Sequence, residues 1–415
     1  MQGGGEAHGA GSADGELRKA TGSDDCESGE KKEGDDFSDI SDSELLSLQE
    51  AAESCDAYIE GEGLEMVDGV TSPGKIDATT SPEGQLHNSA GLSCSEMPGP
   101  PEVTQRKRKQ ESLNPLQKYH MRYLAVTDLC SQMWCEQQMV YKIEQPADLL
   151  PEKTAAMNEG SSIHLARELE VHDVVSVTTR NREDSWAIKC LNILAMIPVL
   201  QSGGRIREFP VFGELDGIFM VGVIDELAYS SSGELELREL KTRATPTLPR
   251  LAQKRTHELQ VCVYKLLFDG MVSGVLQSEC LIQILNLRPE QELGPEVKEH
   301  AIQSGLTVST LKDIIELTFL NLTFSELPRI DSLKLEYCYQ GDGAFLGCDI
   351  VNFKEKSVME QVTFYLSFWK GQREIQGVDI EDTWKCRMCN YSNICEWRTQ
   401  RTNTAPYRTM AKRLK

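Results

Sequence analysis

Asp225, in Gly222-Val-Ile-Asp225-Glu226, and Glu239 and Lys241, in Leu237-Arg238-Glu239-Leu240-Lys241, are the groups best spaced to do chemistry together. Ser230-Ser-Ser-Gly233 between them reads as a turn, so the two segments predict an antiparallel hairpin with Asp225 almost opposite Glu239. Residues 239 and 241 share a face because side chains alternate along a strand. Two carboxylates and an ammonium then converge at one end of the hairpin. Carboxylate oxygens, a backbone carbonyl such as that of Leu240 and retained waters are what a hard cation such as Mg²⁺ takes. An ion held there stabilises charge on a phosphate and lowers the pKa of a water. Lys241 would position that water and offset developing negative charge. The same spacing also suits a surface hairpin with cross-strand ion pairs, so its company matters.

A second group lies near the C-terminus, in Trp384-Lys-Cys386-Arg-Met-Cys389-Asn-Tyr-Ser-Asn-Ile-Cys395. Three thiols so close gain nothing as core residues, and C-x2-C-x5-C is a metal pattern with one ligand missing. Zinc ribbons bring two C-x-x-C pairs, and only one is present. Iron–sulfur clusters accept irregular spacing and a remote fourth thiolate. The chain has 13 cysteines. Cys190, Cys262 and Cys280 sit in apolar runs and are expected to be small buried hydrophobes.

The elements that must position these groups read as an α/β mixture. Helices are predicted at about 128–142, 161–172, 249–269, 308–317 and 354–370, where apolar residues recur at three-to-four spacing. Extended segments are predicted at 209–228, 234–241 and 278–286. Gln260 and Tyr264 share a face of the 249–269 helix, close to the end of the hairpin. Upstream, Glu159-Gly160-Ser-Ser-Ile-His164 opens a helix with His164 one turn in.

Residues 1–112 have a different texture, rich in Gly, Ser, Asp and Glu, which predicts a disordered acidic tail. The net charge is -22, but residues 1–100 hold 23 acidic and 5 basic residues, so the rest of the chain is nearly balanced. That balance leaves room for a local basic groove. The Phe37–Leu48 island suits a short partner-binding helix or a solvated tail. Arg106-Lys-Arg-Lys109 suits a nuclear localisation signal or a phosphate contact. No apolar run approaches a membrane span, and the N-terminus resembles neither a secretory signal nor a transit peptide. The expected address is the nucleus, with the cytosol as the alternative, and no membrane partner is expected.

The Asp225 strand, the Glu239-x-Lys241 strand, the following Gln260-x-x-x-Tyr264 helix and the upstream Gly160-x-x-x-His164 together resemble the RecB-like branch of the PD-(D/E)xK nucleases. The resemblance implies that His164, Asp225 and Glu239 bind Mg²⁺. It makes Lys241 catalytic and has Gln260 and Tyr264 support the DNA end of the site. The cysteine pattern resembles the members of that branch with an iron–sulfur staple. This implies a 4Fe-4S cluster on Cys386, Cys389, Cys395 and one cysteine ahead of the core. Cys135 is preferred to Cys130, because the resemblance implies a ligand followed directly by the start of a new helical segment. The chain is most similar in this branch to the eukaryotic exonuclease V family, over about residues 113–400.

That resemblance implies a PD-(D/E)xK restriction-endonuclease-like core with an iron–sulfur staple, and composition sets it between the acidic tail over 1–112 and a basic C-terminal tail over 401–415. It also implies a Mg-dependent single-stranded DNA exonuclease, a phosphodiester hydrolase acting in DNA repair, including interstrand crosslink repair. Replication protein A is the implied partner, and a monomer is expected. Arg243, Arg250, Lys254 and Arg255 are the expected DNA-binding group, with Arg398, Arg401 and Arg408 near the cysteines. A catalytically inactive single-stranded nucleic-acid-binding scaffold with a zinc or iron–sulfur site is the alternative. The chain has no GxxxxGK[ST] loop, so ATP-driven unwinding is not expected.

Overall fold

A computed structural model of the chain describes residues 113–144, 155–171, 175–387 and 389–404. The whole expected acidic tail, with the Phe37–Leu48 island and the Arg106–Lys109 cluster, and Arg408 lie outside the described residues.

A short helix α1 (Pro115–Lys118) opens the described chain, capped by Asn114 and Gln117. It leads to β1 (Leu124–Ala125), α2 (Val126–Glu144), α3 (Ala155–Glu168) and α4 (Arg182–Gln201). Three strands follow, β2 (Ile206–Leu215), β3 (Ile218–Tyr229) and β4 (Leu235–Arg243). The long crossover from β4 to its parallel neighbour runs through α5 (Leu251–Val272), α6 (Ser278–Leu285), α7 (Pro295–Gln303) and α8 (Leu311–Phe324). The chain then forms β5 (Ser332–Tyr339), β6 (Phe345–Val351), α9 (Glu355–Trp369), a 3-10 helix (Ile380–Arg387) and α10 (Glu396–Thr404).

The result is mixed α/β. The strands form one mixed sheet in the order β1-β3-β4-β5-β6, with β2 paired to β3. β2 runs antiparallel along one whole edge of β3, from Leu215 opposite Ile218 to Ile206 opposite Leu227. The other edge of β3 is shared. β1 takes Met220 and Val221, and β4 takes Glu226 to Tyr229. Residues 222–225 therefore lie where the sheet forks, between two partners.

Helices α2 and α5 pack against each other, and α5 also lies against β2. Phe209 meets Phe268 on the α5 side of the sheet, Phe212 meets Trp186 of α4, and these four side chains and Tyr264 are fully buried. Each such side chain contributes roughly 1.5–3 kcal/mol of burial. Asp184, in the first turn of α4, is fully buried and accepts from the Gly294 amide at 2.8 Å, anchoring the crossover helices to the body.

Three expectations change. The extended 209–228 segment is a hairpin, broken by Asp216 and Gly217 at φ 48° and 77°. Two consecutive positive φ values make the tight turn whose twist matches flanking strands. The expected strand at 278–286 is helix α6. Leu281 and Leu285, four apart, form its buried face, and Asn286 closes it in the left-handed region at φ 51°. Cys280 is consequently exposed rather than buried, because it lies off that face, whereas Cys190 and Cys262 are buried as expected. The prediction also passed over α4 and β5, whose burial comes from neighbours distant in sequence, and the edge strand β6.

Candidate active site and thiol cluster

The fork in the sheet leaves Asp225 outside the β3–β4 ladder. One step beyond the last β3–β4 pair, Glu226 opposite Arg238, Asp225 stands level with Glu239. Its Oδ2 accepts from the Leu240 amide at 2.7 Å, in place of a ladder bond. Its Oδ1 lies 3.8 Å from Nδ1 of His164 on α3. That helix begins at Ala155, so His164 lies beyond its second turn rather than one turn in.

A residue that the sequence prediction missed completes this group. Ligand atoms of His164, Glu208 and Asp225 all lie within 4.8 Å of one another. Glu208 has a φ of 53°, inside an otherwise regular strand, and the pairing steps from Arg207–Glu226 to Phe209–Ile224 across it. A left-handed glutamate is uncommon, and residues held in such sparsely populated conformations cluster at functional sites. The Asp216-Gly217 turn carried the signal, since counting back from it along both strands puts Glu208 level with Asp225.

Glu239 and Lys241 form a second, adjoining cluster. Lys241 Nζ is 3.2 Å from Glu239 Oε1, and both side chains are almost completely buried. Gln260 donates from Nε2 to the same Glu239 oxygen at 3.0 Å and to the Tyr264 hydroxyl at 2.8 Å. Tyr264 fits because position 222 is glycine. A Cβ there would sit 2.6 Å from Tyr264 Cε1 and 3.0 Å from Val126 Cγ2. Glu239 is not one of the three grouped ligands, and Asp225 joins the two clusters through Leu240.

Arginines surround the acids. The cavity at His164, Glu208 and Asp225 is also lined by Arg167, Arg207 and Arg238. Arg207 is buried and holds Glu226 at 2.9 Å while its guanidinium also donates to the Arg167 carbonyl at the end of α3. This ties the His164 helix to the acidic strands.

Of the expected DNA-binding group, Arg243 differs. It is buried and donates from Nε to the Thr247 carbonyl at 3.2 Å, which fixes the loop after β4. Lys254 pairs with Asp349 at 2.6 Å, and Arg250 and Arg255 are exposed near the start of α5. Arg398 caps the Ser392 carbonyl, and Arg401 lies over the Trp397 ring.

Cys135, Cys386, Cys389 and Cys395 line a single cavity. Cys135 enters it from a break in α2, where its backbone is extended at φ -169° and ψ 112°. Cys130 instead lies in the hydrophobic core, 2 % exposed. Burial, reinforced by the nearby Cys389, Cys386 and Cys395 thiols, pushes the Cys135 thiol up to about 11. Burial and the neighbouring thiols also raise Cys386 and Cys389. Sulfurs that raise one another in this way are those a cation would convert to thiolates.

Residues 112–239 and 299–398 match the family described as exonuclease V, a 5' deoxyribonuclease. An exonuclease V from Danio rerio is 41 % identical over 375 residues, covering 88 % of this chain and 93 % of the relative. The chain belongs to the exonuclease V family. As a member of that family it is a nuclease, and so a hydrolase. The exonuclease V match takes in His164, Glu208, Asp225, Glu239 and all four clustered cysteines, and it leaves Lys241, Gln260 and Tyr264 between its two segments. A solved structure, SSO0001, is 13 % identical with a TM-score of 0.30, over 67 % of this chain and 87 % of that one. A likeness so slight carries no structural argument.

Proposed function

We propose that this exonuclease V family member degrades single-stranded DNA from the 5' end, hydrolysing phosphodiester bonds with the help of Mg²⁺. The observation that carries this is the convergence of His164, Glu208 and Asp225 at the fork of the sheet, within 4.8 Å of one another, beside the buried Glu239–Lys241 pair. The donors are one imidazole nitrogen and carboxylate oxygens, which suits a hard divalent cation that keeps several waters. When bound, such an ion neutralises charge on the phosphoryl oxygens and acidifies water.

The protein's own groups do the rest. Glu239 holds the Lys241 ammonium at 3.2 Å, and Gln260 fixes that carboxylate through a bond at 3.0 Å. Lys241 is thereby placed to orient the attacking water and to offset charge gathering on the phosphate, at little reorganisation cost. The core is assigned to the PD-(D/E)xK class on this arrangement.

The four-cysteine cavity is assigned to a 4Fe-4S cluster. Four thiols at irregular spacing, one of them remote in sequence, line it together, which is the ligand set that such a cluster accepts. A cluster there would join α2 to the C-terminal segment across roughly 250 residues and close the domain over the site. The Arg106–Lys109 run supports residence in the nucleus, and the family resemblance supports a role in DNA repair that includes crosslinks and contact with replication protein A. A fluorescent fusion that stayed nuclear after alanine replacement of that run would remove the localisation argument.

The deciding experiment incubates anaerobically purified protein, with and without Mg²⁺, with single-stranded and duplex DNA labelled at either end. Asp225→Ala is run alongside. Mg²⁺-dependent loss of single strands from the 5' end, reduced at least 100-fold in the variant, is the expected outcome. Tight binding without cutting in any divalent cation would instead favour a binding scaffold.

A further inference from the structure

Resting on single-stranded DNA as the substrate, we infer that the groove between the start of α5 and the 3-10 helix binds one nucleotide of the strand. In this arrangement its base lies against Trp384 and its phosphate lies between Arg250 and Arg255. This groove, lined by those three residues with Leu251, Ala252 and Asp382, has about 420 Å³ of space, against about 20 Å³ at the acid cavity and at the thiol cavity. A volume of roughly 300–1,000 Å³ is typical of small-ligand sites.

The indole is held in place before any ligand arrives. Trp134 meets it edge-on, with centroids 5.5 Å apart and planes at 88°. Its Nε1 donates to Asp382 at 3.3 Å. Asp382 is in turn bound by Lys385 at 2.8 Å, which offsets the one negative charge in the groove. The Arg250 guanidinium lies 5.9 Å from the centre of the Trp384 ring, so a cation and a flat aromatic face meet at one place. An aromatic face beside arginines is the combination by which proteins grip single strands without reading sequence. The groove also leads to the chemistry. Ala252 and Arg255 lie on the same helix as Gln260, roughly 8–12 Å before it along the axis.

The test titrates short fluorescein-labelled oligodeoxynucleotides, each carrying one abasic position, against the protein in a chelator so that no strand is cut. Unmodified protein should lose affinity about 5- to 150-fold at one abasic position, the range for one base–aromatic stack. Trp384→Ala should bind the intact strand more weakly by a similar factor and no longer register that position, and Trp384→Phe should recover most of both. Arg250→Gln and Arg255→Gln should each lower the slope of log affinity against log salt by about 0.7. Abasic profiles that superimpose for Trp384→Ala and the parent, or a parent profile with no sensitive position, would overturn the subsite. Unchanged salt slopes would overturn its phosphate half. Should Trp384→Ala fail to fold, the parent profile and Trp384→Phe still decide. A parent protein that binds no single strand defeats the proposed substrate itself, a different result from intact binding without a Trp384-dependent position.

Discussion

At Glu208 one backbone torsion changes the composition of the site. A regular β residue there would keep the strand pairing that its neighbours Arg207 and Phe209 make, but φ 53° places the carboxylate beside His164 and Asp225. Such a conformation costs about 1–3 kcal/mol and persists because the flanking pairs over-determine it. Glu208→Gln is expected to raise the Mg²⁺ concentration for half-maximal cutting by at least the ~10–100-fold that outer-sphere partners of metal ligands cost. Metal titration of the cutting rate measures this, and an unchanged midpoint would remove Glu208 from the ligand set. Asp225, Glu239, Lys241, Gln260 and Tyr264 were legible because their spacing follows strand and helix periods. Glu208 was not, because a single extended 209–228 segment gives it no facing strand.

Elements set the distances between these residues. Helix α5 approaches β3 closely only because Gly222 has no Cβ, and that approach lets Tyr264 support Gln260. Gly222→Ala is expected to destabilise the protein by about 1–3 kcal/mol, the usual penalty for overpacking, and to lower cutting with it. Thermal melting beside the nuclease assay would show both. On β4, Glu236 is bound by Lys334 at 2.6 Å and Arg238 at 2.8 Å. Burial pushes the Glu236 carboxyl up, but those hydrogen bonds outweigh it and hold the group below its ordinary 4.5. Folding therefore favours the charged form, so this stabilisation is present above 4.5 and is lost as the pH falls through the lowered value. Glu236→Gln should be less stable than the parent at neutral pH, with the gap closing in acid. Urea unfolding at both ends of that range would show it, and a gap that widened in acid would reverse the sign.

Across the whole molecule, the thiol cavity joins a break in α2 to the segment around Cys386–Cys395. A cross-link over so long a loop is worth about 5–6 kcal/mol by chain-entropy reasoning, much of the stability of an ordinary domain. Cys389→Ala is therefore expected to lower iron content, melting temperature and activity together. A variant that kept its iron and melted like the parent would dismiss the cluster assignment. Cys130→Ala should leave iron content unchanged, since Cys130 is a core residue. No helix among the described residues is long and apolar enough to cross a membrane.

By itself the sequence determined the α/β class, the hairpin that sets Asp225 level with Glu239, the helix that carries Gln260 and Tyr264, and the three-cysteine motif. These rest on local periods and on turns such as Ser230–Gly233, whose geometry depends only on residues close in the chain. Tertiary structure decided the rest. It forked the sheet at residues 222–225, turned Glu208 into the site and buried Arg243. It set Cys135 in one cavity with Cys386, Cys389 and Cys395, put Cys130 in the core, and made 278–285 a helix. In each case the deciding partner lies far away in sequence, and burial against it outweighs local propensity.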